Sequence, residues 1–354
     1  MNDPKLTFAH RLAQARRMQG LSLRALAEKL EGKVSHNALH KYEQEQMMPD
    51  SEVLLAVADA LDQEVDFFFR EPDLELKELR FRKASRLGVK EEAAIRERAV
   101  DYFERYHEIE ELLDIASQFE NPLARLEIRN MDDAEDAAIK LRDAWCLGEG
   151  PLPNVREMLE GKGILMFDVD APKTFNGFAG HADGHPVIVL AKWLDEDLPR
   201  KRFTALHETG HLLLKLPEKW QAKEQEGICN RFAGAMLIPR CVFIAEFGGH
   251  RQRVSLEELA SIKARYGMSV AAIMHRARDL ELITQALYER FCITGRKQGW
   301  HKHEPGEYSG RELSSRFEQL VVRAASEAVI SESKGASLLN EPYAEFRERL
   351  AGVG

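Results

Sequence analysis

RKRFTALHETGHLLLKLP, residues 200–217, contains the spacing that decides how the central part of this chain folds. Its apolar residues favour a helix, and within it His207, Glu208 and His211 form the pattern H-E-x-x-H. Four residues turn an α-helix through about 400°, so the two imidazoles leave the same face one turn apart. Two nitrogens placed in this way can bind one Zn²⁺ at about 2 Å.

Glu208 has a different position on the same predicted helix. It lies about 100° around the helix from His207, so its carboxylate can approach a water beside the metal without being a ligand. A general base needs this position. We therefore expect Glu208 to be the catalytic residue of a hydrolytic site.

A catalytic zinc also needs a third protein ligand and one open position. The segment EGICNRFAGAMLIP, residues 226–239, predicts a second helix that ends near Pro239, because proline cannot continue a helix comfortably. Glu226 and Asn230 lie four residues apart on one face of this helix. Cys229, a single cysteine on an apolar helix, is expected in the core, which argues against a cysteine peptidase.

FTALHETGHLLL followed by EGICNRFAGAMLIP resembles the ImmA/IrrE family of zinc peptidases. In that family a helix with E-x-x-x-N that closes on L-I-P supplies the third metal ligand. The resemblance implies Zn²⁺ as cofactor, with His207, His211 and Glu226 as metal ligands and Asn230 as a support for the ligands. The upstream block GEGPLPNVREMLEGKGILM, residues 148–166, fits the same family.

The strands before the H-E-x-x-H helix are expected to form a small, largely antiparallel sheet. Three apolar runs, at residues 163–169, 175–181 and 186–190, are separated by Asn-Gly and Asp-Gly turn signals. A strand at the edge of such a sheet can hold an extended peptide by main-chain hydrogen bonds. We expect residues 175–181 or 186–190 to be that edge.

The first 70 residues have a separate pattern of short amphipathic helices. LSLRALAEKLEGKVSHNALHKYEQEQMMPDSEVLLAVADAL, residues 21–61, resembles the helix-turn-helix domain of the XRE/Cro family. In that family the third helix lies in the DNA major groove. The resemblance implies a recognition helix over residues 35–43, whose candidate DNA contacts are Ser35, His36, Asn37, His40 and Lys41.

Charge is distributed in a way that suits this expectation. Residues 1–45 hold eight Lys/Arg and five Asp/Glu, a net charge of +3. Residues 46–70 hold one Lys/Arg and six Asp/Glu, a net charge of −5. Positive charge is therefore concentrated where phosphates would lie. The alternative is that these helices form a dimerisation or partner-binding module.

Two further regions are predicted outside the motifs. Residues 71–130 are expected to be a basic linker, with KELRFRKASRLGVK at 77–90, followed by connecting helices. Residues 246–354 are expected to be helical, with a helix-turn-helix-like unit at 254–280. A polar loop is expected from residue 293, and an amphipathic helix over 312–339.

The whole chain is thus predicted to be α+β and predominantly α, in four parts. These are a helix-turn-helix bundle (1–70), the linker (71–130), a zincin-like peptidase domain (131–245) and the helical C-terminal region (246–354). Hydrophobic residues make up 44% and charged residues 31%, which excludes wholesale disorder. No apolar run approaches the roughly 18 residues that span a membrane, so no membrane partner is expected.

The overall charge and the cysteine content limit the kind of binding and the cellular compartment that are expected for this protein. The net charge of −9 excludes a binder that works by bulk positive charge. Four widely spaced cysteines without a C-x-x-C pair favour a reducing cytoplasm over a disulfide scaffold.

Two functional hypotheses follow from these patterns. The first is a DNA-binding regulator with a zinc endopeptidase domain that cleaves a repressor or partner protein in a stress or mobile-element response. The alternative is a non-enzymatic repressor, the antitoxin of a toxin–antitoxin pair, that uses the peptidase fold to bind its partner. Both require a double-stranded DNA operator, and helix-turn-helix domains commonly act as dimers, so a homodimer is expected by analogy.

Overall fold

The computed structural model describes residues 3–70, 87–115, 119–182, 184–217, 219–300 and 302–351. Helices dominate these residues, and one small three-stranded sheet lies among them. The predicted α+β class with a helical N-terminal bundle is therefore confirmed. Residues 77–86 of the predicted basic stretch at 77–90 lie outside the described residues.

The N-terminal bundle has a hydrophobic core of its own, centred on Phe8, Leu12, Leu39 and Phe68. Polar side chains accept hydrogen bonds from the first free amides of its helices, as helix N-caps do. It consists of four helices and a closing 3₁₀ turn: α1 (Pro4–Met18), α2 (Leu23–Lys29), α3 (His36–Glu43), α4 (Ser51–Leu61) and Val65–Phe69.

The other described residues share a second, continuous core that extends from Ile95 to Phe346. The helix α5 (Val89–Leu112) joins this core to the N-terminal bundle. The remaining helices are α6 (Met131–Ala144), α7 (Val155–Gly161), α8 (Leu198–Leu213), α9 (Ala222–Leu237), α10 (Arg240–Phe247), α11 (Leu256–Tyr266), α12 (Val270–Asp279), α13 (Gln285–Lys297), α14 (Arg316–Ser326), α15 (Glu332–Leu339) and α16 (Tyr343–Leu350), with a 3₁₀ turn at Lys192–Glu196 before α8.

The sheet is mixed, with the order β1-β3-β2, and it consists of β1 (Leu165–Val169), β2 (Gly177–Ala182) and β3 (His185–Ala191). The hairpin strands β2 and β3 pair antiparallel, whereas β1 pairs parallel with β3. The prediction of a largely antiparallel sheet was therefore wrong for β1. Tight turns signal hairpins in a sequence, but the longer crossover that a parallel pair needs has no comparable local signal.

The sheet order also decides which strand is an edge. β3 lies in the centre, and all of its residues after His185 are buried. The expectation that residues 186–190 form a free edge was therefore wrong, and β2 is an edge strand of the described sheet. α8 contacts both β2 and β3, so this edge lies beside the H-E-x-x-H helix.

Two expectations for the C-terminal region also need correction. The helix predicted over 312–339 is divided into α14 and α15, and Ala328 between them has a left-handed backbone with φ 56°. The loop predicted from residue 293 begins later, because α13 continues to Lys297. Trp300 packs back against Phe291 of this helix, a tertiary contact that a local count of polar residues does not reveal.

α8 and α9 approach each other closely at Gly210. A Cβ on this residue would lie 3.4 Å from Cys229 Cα and 3.2 Å from Phe232 Cδ1. Glycine therefore allows the two helices that hold the predicted metal ligands to pack in direct contact. Among the described residues no single helix has the length and hydropathy to cross a membrane; only the pair α9 and α10, bent by 69°, passes that test together.

Candidate metal centre

The packing of α8 against α9 brings His207, His211 and Glu226 to a common point. The two histidine Nε2 atoms are 3.0 Å apart. Glu226 Oε2 lies 3.1 Å from His207 Nε2, and Glu226 Oε1 lies 3.4 Å from His211 Nε2. Ligands about 2.05 Å from a tetrahedral ion lie about 3.4 Å from one another, so these donors fit a zinc-sized cation.

The three donors differ in their exposure to solvent. The side chains of His207 and His211 are 13% and 6% exposed, whereas that of Glu226 is 36% exposed. Within the described part of the chain, this is the only group of three or more His, Cys, Asp or Glu residues with ligand atoms within 4.8 Å of one another. An ion held here would be reached from the Glu226 side.

A second group of side chains orients the two imidazoles. His207 Nδ1 lies 2.9 Å from Asn230 Oδ1, an acceptor, so Nδ1 donates its proton there and a neutral ring has Nε2 as the nitrogen that could bind a metal. His211 Nδ1 lies 2.8 Å from Cys229 Sγ. Both rings thus direct Nε2 towards the shared point, as metal-binding histidines do when their other nitrogen is engaged.

Cys229, which was expected only as a core residue beside the helix face of Glu226, also belongs to this site. It is fully buried, as expected of a core cysteine, but its sulfur also contacts a predicted metal ligand. The available signal was its position on α9, three residues after Glu226, which is close to the same helical face. That signal is weak, because the contact depends on how α9 is rotated against α8.

Electrostatics at the centre favour a cation. Burial lowers the pKa of His207, but its hydrogen bond to Glu226 and the charges of Glu208 and Glu226 outweigh burial and raise it. Hydrogen bonds from His207 and His211 hold the pKa of Glu226 far below its usual range. Both shifts favour positive charge beside the Glu226 carboxylate, which is the environment that a metal cation also needs.

Glu208 follows His207 directly on α8 and is half-buried. Its negative charge helps to raise the pKa of His207, so the carboxylate lies near the candidate metal ligands. The predicted catalytic residue and the three predicted ligands are therefore brought into one neighbourhood. The arrangement suits proton transfer beside a metal ion.

The candidate DNA contacts lie in the N-terminal bundle, along α3. His36, Asn37, His40 and Lys41 are all exposed, whereas Leu39 and Tyr42 of the same helix are buried. Ser35 is exposed too, but its hydroxyl accepts a hydrogen bond from the amide of residue 38, at 3.1 Å, and so caps the helix.

The position of α3 is fixed by an ion pair to α1. Arg16 Nε lies 2.6 Å from Glu43 Oε1, and Arg16 Nη2 lies 2.9 Å from Glu43 Oε2, a bidentate contact. Tyr42 packs edge-on against Phe8 of α1. These contacts hold α3 against α1 and so fix the orientation of its exposed face.

Two family models match parts of this chain. Residues 160–278 match the family model of the IrrE N-terminal-like domain, and this range includes the sheet, α8 and α9. Residues 12–68 match a helix-turn-helix family model that includes α3. No curated protein matches the chain. The peptidase family implies a metal ion, and the chain combines an XRE-type helix-turn-helix domain with an ImmA/IrrE-like peptidase domain.

Proposed function

We propose that this protein is a DNA-binding transcriptional regulator whose second domain is a zinc-dependent endopeptidase. Its substrate is a repressor or partner protein, cleaved in a stress or mobile-element response. The convergence of His207, His211 and Glu226 within 3.4 Å, inside a region similar to a metallopeptidase family, is the observation that supports this most strongly.

Zinc is the metal that the donor set favours. Two histidines and one carboxylate are a ligand set of catalytic zinc sites, in which a fourth position stays open. When bound, zinc would supply Lewis-acid chemistry, lowering the pKa of a water and polarising the scissile carbonyl. His207 and His211 would hold it through Nε2 and Glu226 through its carboxylate.

The other residues of the site have distinct tasks in peptide hydrolysis. A carboxylate oxygen of Glu208 takes the proton of the attacking water and returns it to the leaving nitrogen. Asn230 and Cys229 keep the two imidazoles in the orientation that the ligands need. The edge strand β2, which contacts α8, can bind an extended peptide by main-chain hydrogen bonds beside these groups.

DNA binding by this protein is supported by the helix-turn-helix match, and α3 is the element we assign to the major groove. His36, Asn37 and His40 would face base edges. Lys41 would neutralise a phosphate, and Ser35 would contribute at the N-terminus of the helix.

The Glu208→Gln variant tests the proposed activity. It removes the base but keeps the ligands, so it should retain zinc while cleavage falls by about 10²–10⁴-fold. Cleavage is followed by mass spectrometry with the proteins encoded by the neighbouring genes as candidate substrates. His211→Ala should lose both zinc and cleavage. Unchanged cleavage by Glu208→Gln would overturn the mechanism.

A further inference from the structure

A cavity of about 290 Å³ lies beside the metal centre, between α8, α9, α12 and α13. Two of its lining residues share helix faces with metal ligands: Phe203 is four residues before His207, and Asn230 is four residues after Glu226. Asn230 also accepts the hydrogen bond from His207. The cavity and the metal centre therefore have Asn230 as a common wall.

The size and lining of the cavity suit one side chain. Pockets that hold drug-sized ligands enclose roughly 300–1,000 Å³, so this cavity is small for a cofactor. Phe203, Ala272 and the ring of Tyr288 provide an apolar lining. Gly234 leaves room for the side chain of Arg276, since a Cβ at residue 234 would lie 3.4 Å from Arg276 Nη1.

Two buried arginines at this cavity share a single carboxylate. Arg276 donates hydrogen bonds to both carboxylate oxygens of Glu135, from Nη1 to Oε1 at 2.9 Å and from Nη2 to Oε2 at 2.8 Å. Arg231 Nε lies 2.5 Å from Glu135 Oε1. All three side chains are at most 6% exposed. Two guanidinium groups against one carboxylate leave an excess positive charge on side chains that are almost fully buried.

Arg231 lines the cavity, and its two Nη groups keep some exposure to solvent. Within the described residues its ion pair is that of Nε with Glu135, and neither Nη group donates a hydrogen bond. Asp279, the acidic residue of the lining, is already engaged by His275 at 3.0 Å and by Arg278 at 2.5 Å. A buried guanidinium with free donors is stabilised by an anion.

We propose that this cavity is a substrate subsite that takes the acidic side chain of an Asp or Glu residue flanking the scissile bond. The carboxylate accepts hydrogen bonds from the Nη groups of Arg231, and the methylene stem packs between Phe203 and Tyr288. The proposal rests on the proposed peptidase function, because it assigns the peptide residue that the same site selects.

The test uses the metal-free, full-length protein, so that it depends on neither zinc nor hydrolysis. The probes are N-acetyl-glutamate amide and N-acetyl-glutamine amide, which differ only in the side-chain charge, and binding is followed by NMR titration. We expect the glutamate compound to bind at least about tenfold more tightly, the ratio that one charge-assisted hydrogen bond gives.

Three variants separate the cavity from other effects. Arg231→Lys shortens the donor and should weaken binding of the glutamate compound. Ala272→Leu keeps every charge, fills the cavity and should abolish binding, which keeps the test decisive if the buried arginine cannot be replaced. Arg349→Gln removes an arginine of α16 that pairs with Glu341, outside the cavity, and should change nothing.

Three results would overturn the proposal. One is equal affinity for the glutamate and glutamine compounds, and another is binding that Ala272→Leu leaves intact. The third is tighter binding of glutarate than of the blocked glutamate, which would identify a pocket for a free dicarboxylate. Because no turnover is involved, these results stand apart from a failure of the Glu208→Gln experiment.

Discussion

At the scale of single residues, the two histidines of the candidate metal centre are held by different partners. His207 meets an amide oxygen, which is a common arrangement, whereas His211 meets the sulfur of Cys229. Partners of this kind fix the ring that binds the metal, and their removal typically costs about 10–100-fold in metal affinity. Cys229 is therefore more than a core residue.

Cys229→Ala should weaken zinc binding by about 10–100-fold, because it removes the sulfur that contacts Nδ1 of the His211 ring. Cys229→Ser keeps a polar atom at nearly the same place and should stay within a few fold of the parent. The measurement is competition for zinc with a chelating dye. Cys241→Ala, at an exposed cysteine, is the matched control, and identical affinities for all three variants would leave Cys229 with a packing role alone.

The coupling between His207 and Glu226 predicts a pH dependence of metal-free stability. Folding raises the pKa of His207, so its contribution is complete below the unfolded value of about 6.5 and is lost as pH rises through the folded pKa. Folding lowers the pKa of Glu226, so its contribution is present above about pH 4.3 and is lost as pH falls.

Urea denaturation in the presence of a chelator measures this contribution. The difference in unfolding free energy between the parent and Glu226→Gln should be larger near pH 6 than near about pH 9. A difference that is the same at both pH values would mean that the two side chains do not interact in the folded, metal-free protein.

Part of the candidate metal site could be predicted from the sequence, because the relative position of two residues on one helix depends only on the number of residues between them. His207 and His211 are placed by helix geometry alone, and the resemblance to a peptidase family added Glu226 and Asn230. The cluster of Arg231, Arg276 and Glu135 could not be predicted in this way, because its members lie on three helices and up to 141 residues apart.

At the scale of elements, the helices were predicted best and the strand partners worst. Caps and apolar stripes locate α3, α8 and α9 to within a few residues. The parallel pairing of β1 with β3 was missed, because it depends on packing between segments that are distant in the sequence. The edge strand beside α8 follows from this pairing and could be assigned only from the structure.

The exposed face of α3 predicts two different effects on DNA binding. Asn37→Ala should cost about 1–3 kcal/mol on the preferred operator and relax the choice of base at one position. Lys41→Ala should weaken binding to all sequences alike and reduce the salt slope by about one. Operators selected in vitro with the full-length protein, followed by mobility shifts at several salt concentrations, measure both effects. If both variants keep the full sequence preference of the parent, α3 is not the helix that reads the major groove.

At the scale of the whole molecule, the N-terminal bundle is in direct contact with α5 of the second hydrophobic core. Arg11 of α1 and Glu104 of α5 form a buried ion pair with 2.5 Å between Nη1 and Oε2. Arg98 of α5 donates to the carbonyl oxygen of Met18, at 2.8 Å, and so holds the end of α1. Because α5 also packs on β1 and α14, it connects the two hydrophobic cores.

The sequence offered no evidence for this contact. Arg11 and Glu104 lie 93 residues apart, and α5 was expected only as a connecting helix between two domains. The buried face of α5 packs against both cores. An amphipathic pattern predicts that one face of a helix is buried, but it does not identify the element that the face packs against. The distribution of charge along the chain was equally uninformative here.

Metal analysis of freshly purified protein tests the central claim most directly. If His207, His211 and Glu226 hold one ion, the parent and Glu208→Gln should each contain one zinc per chain by mass spectrometry, whereas His211→Ala and Glu226→Gln should contain almost none. Equal zinc in all four proteins, or none in the parent after dialysis against zinc, would contradict the account.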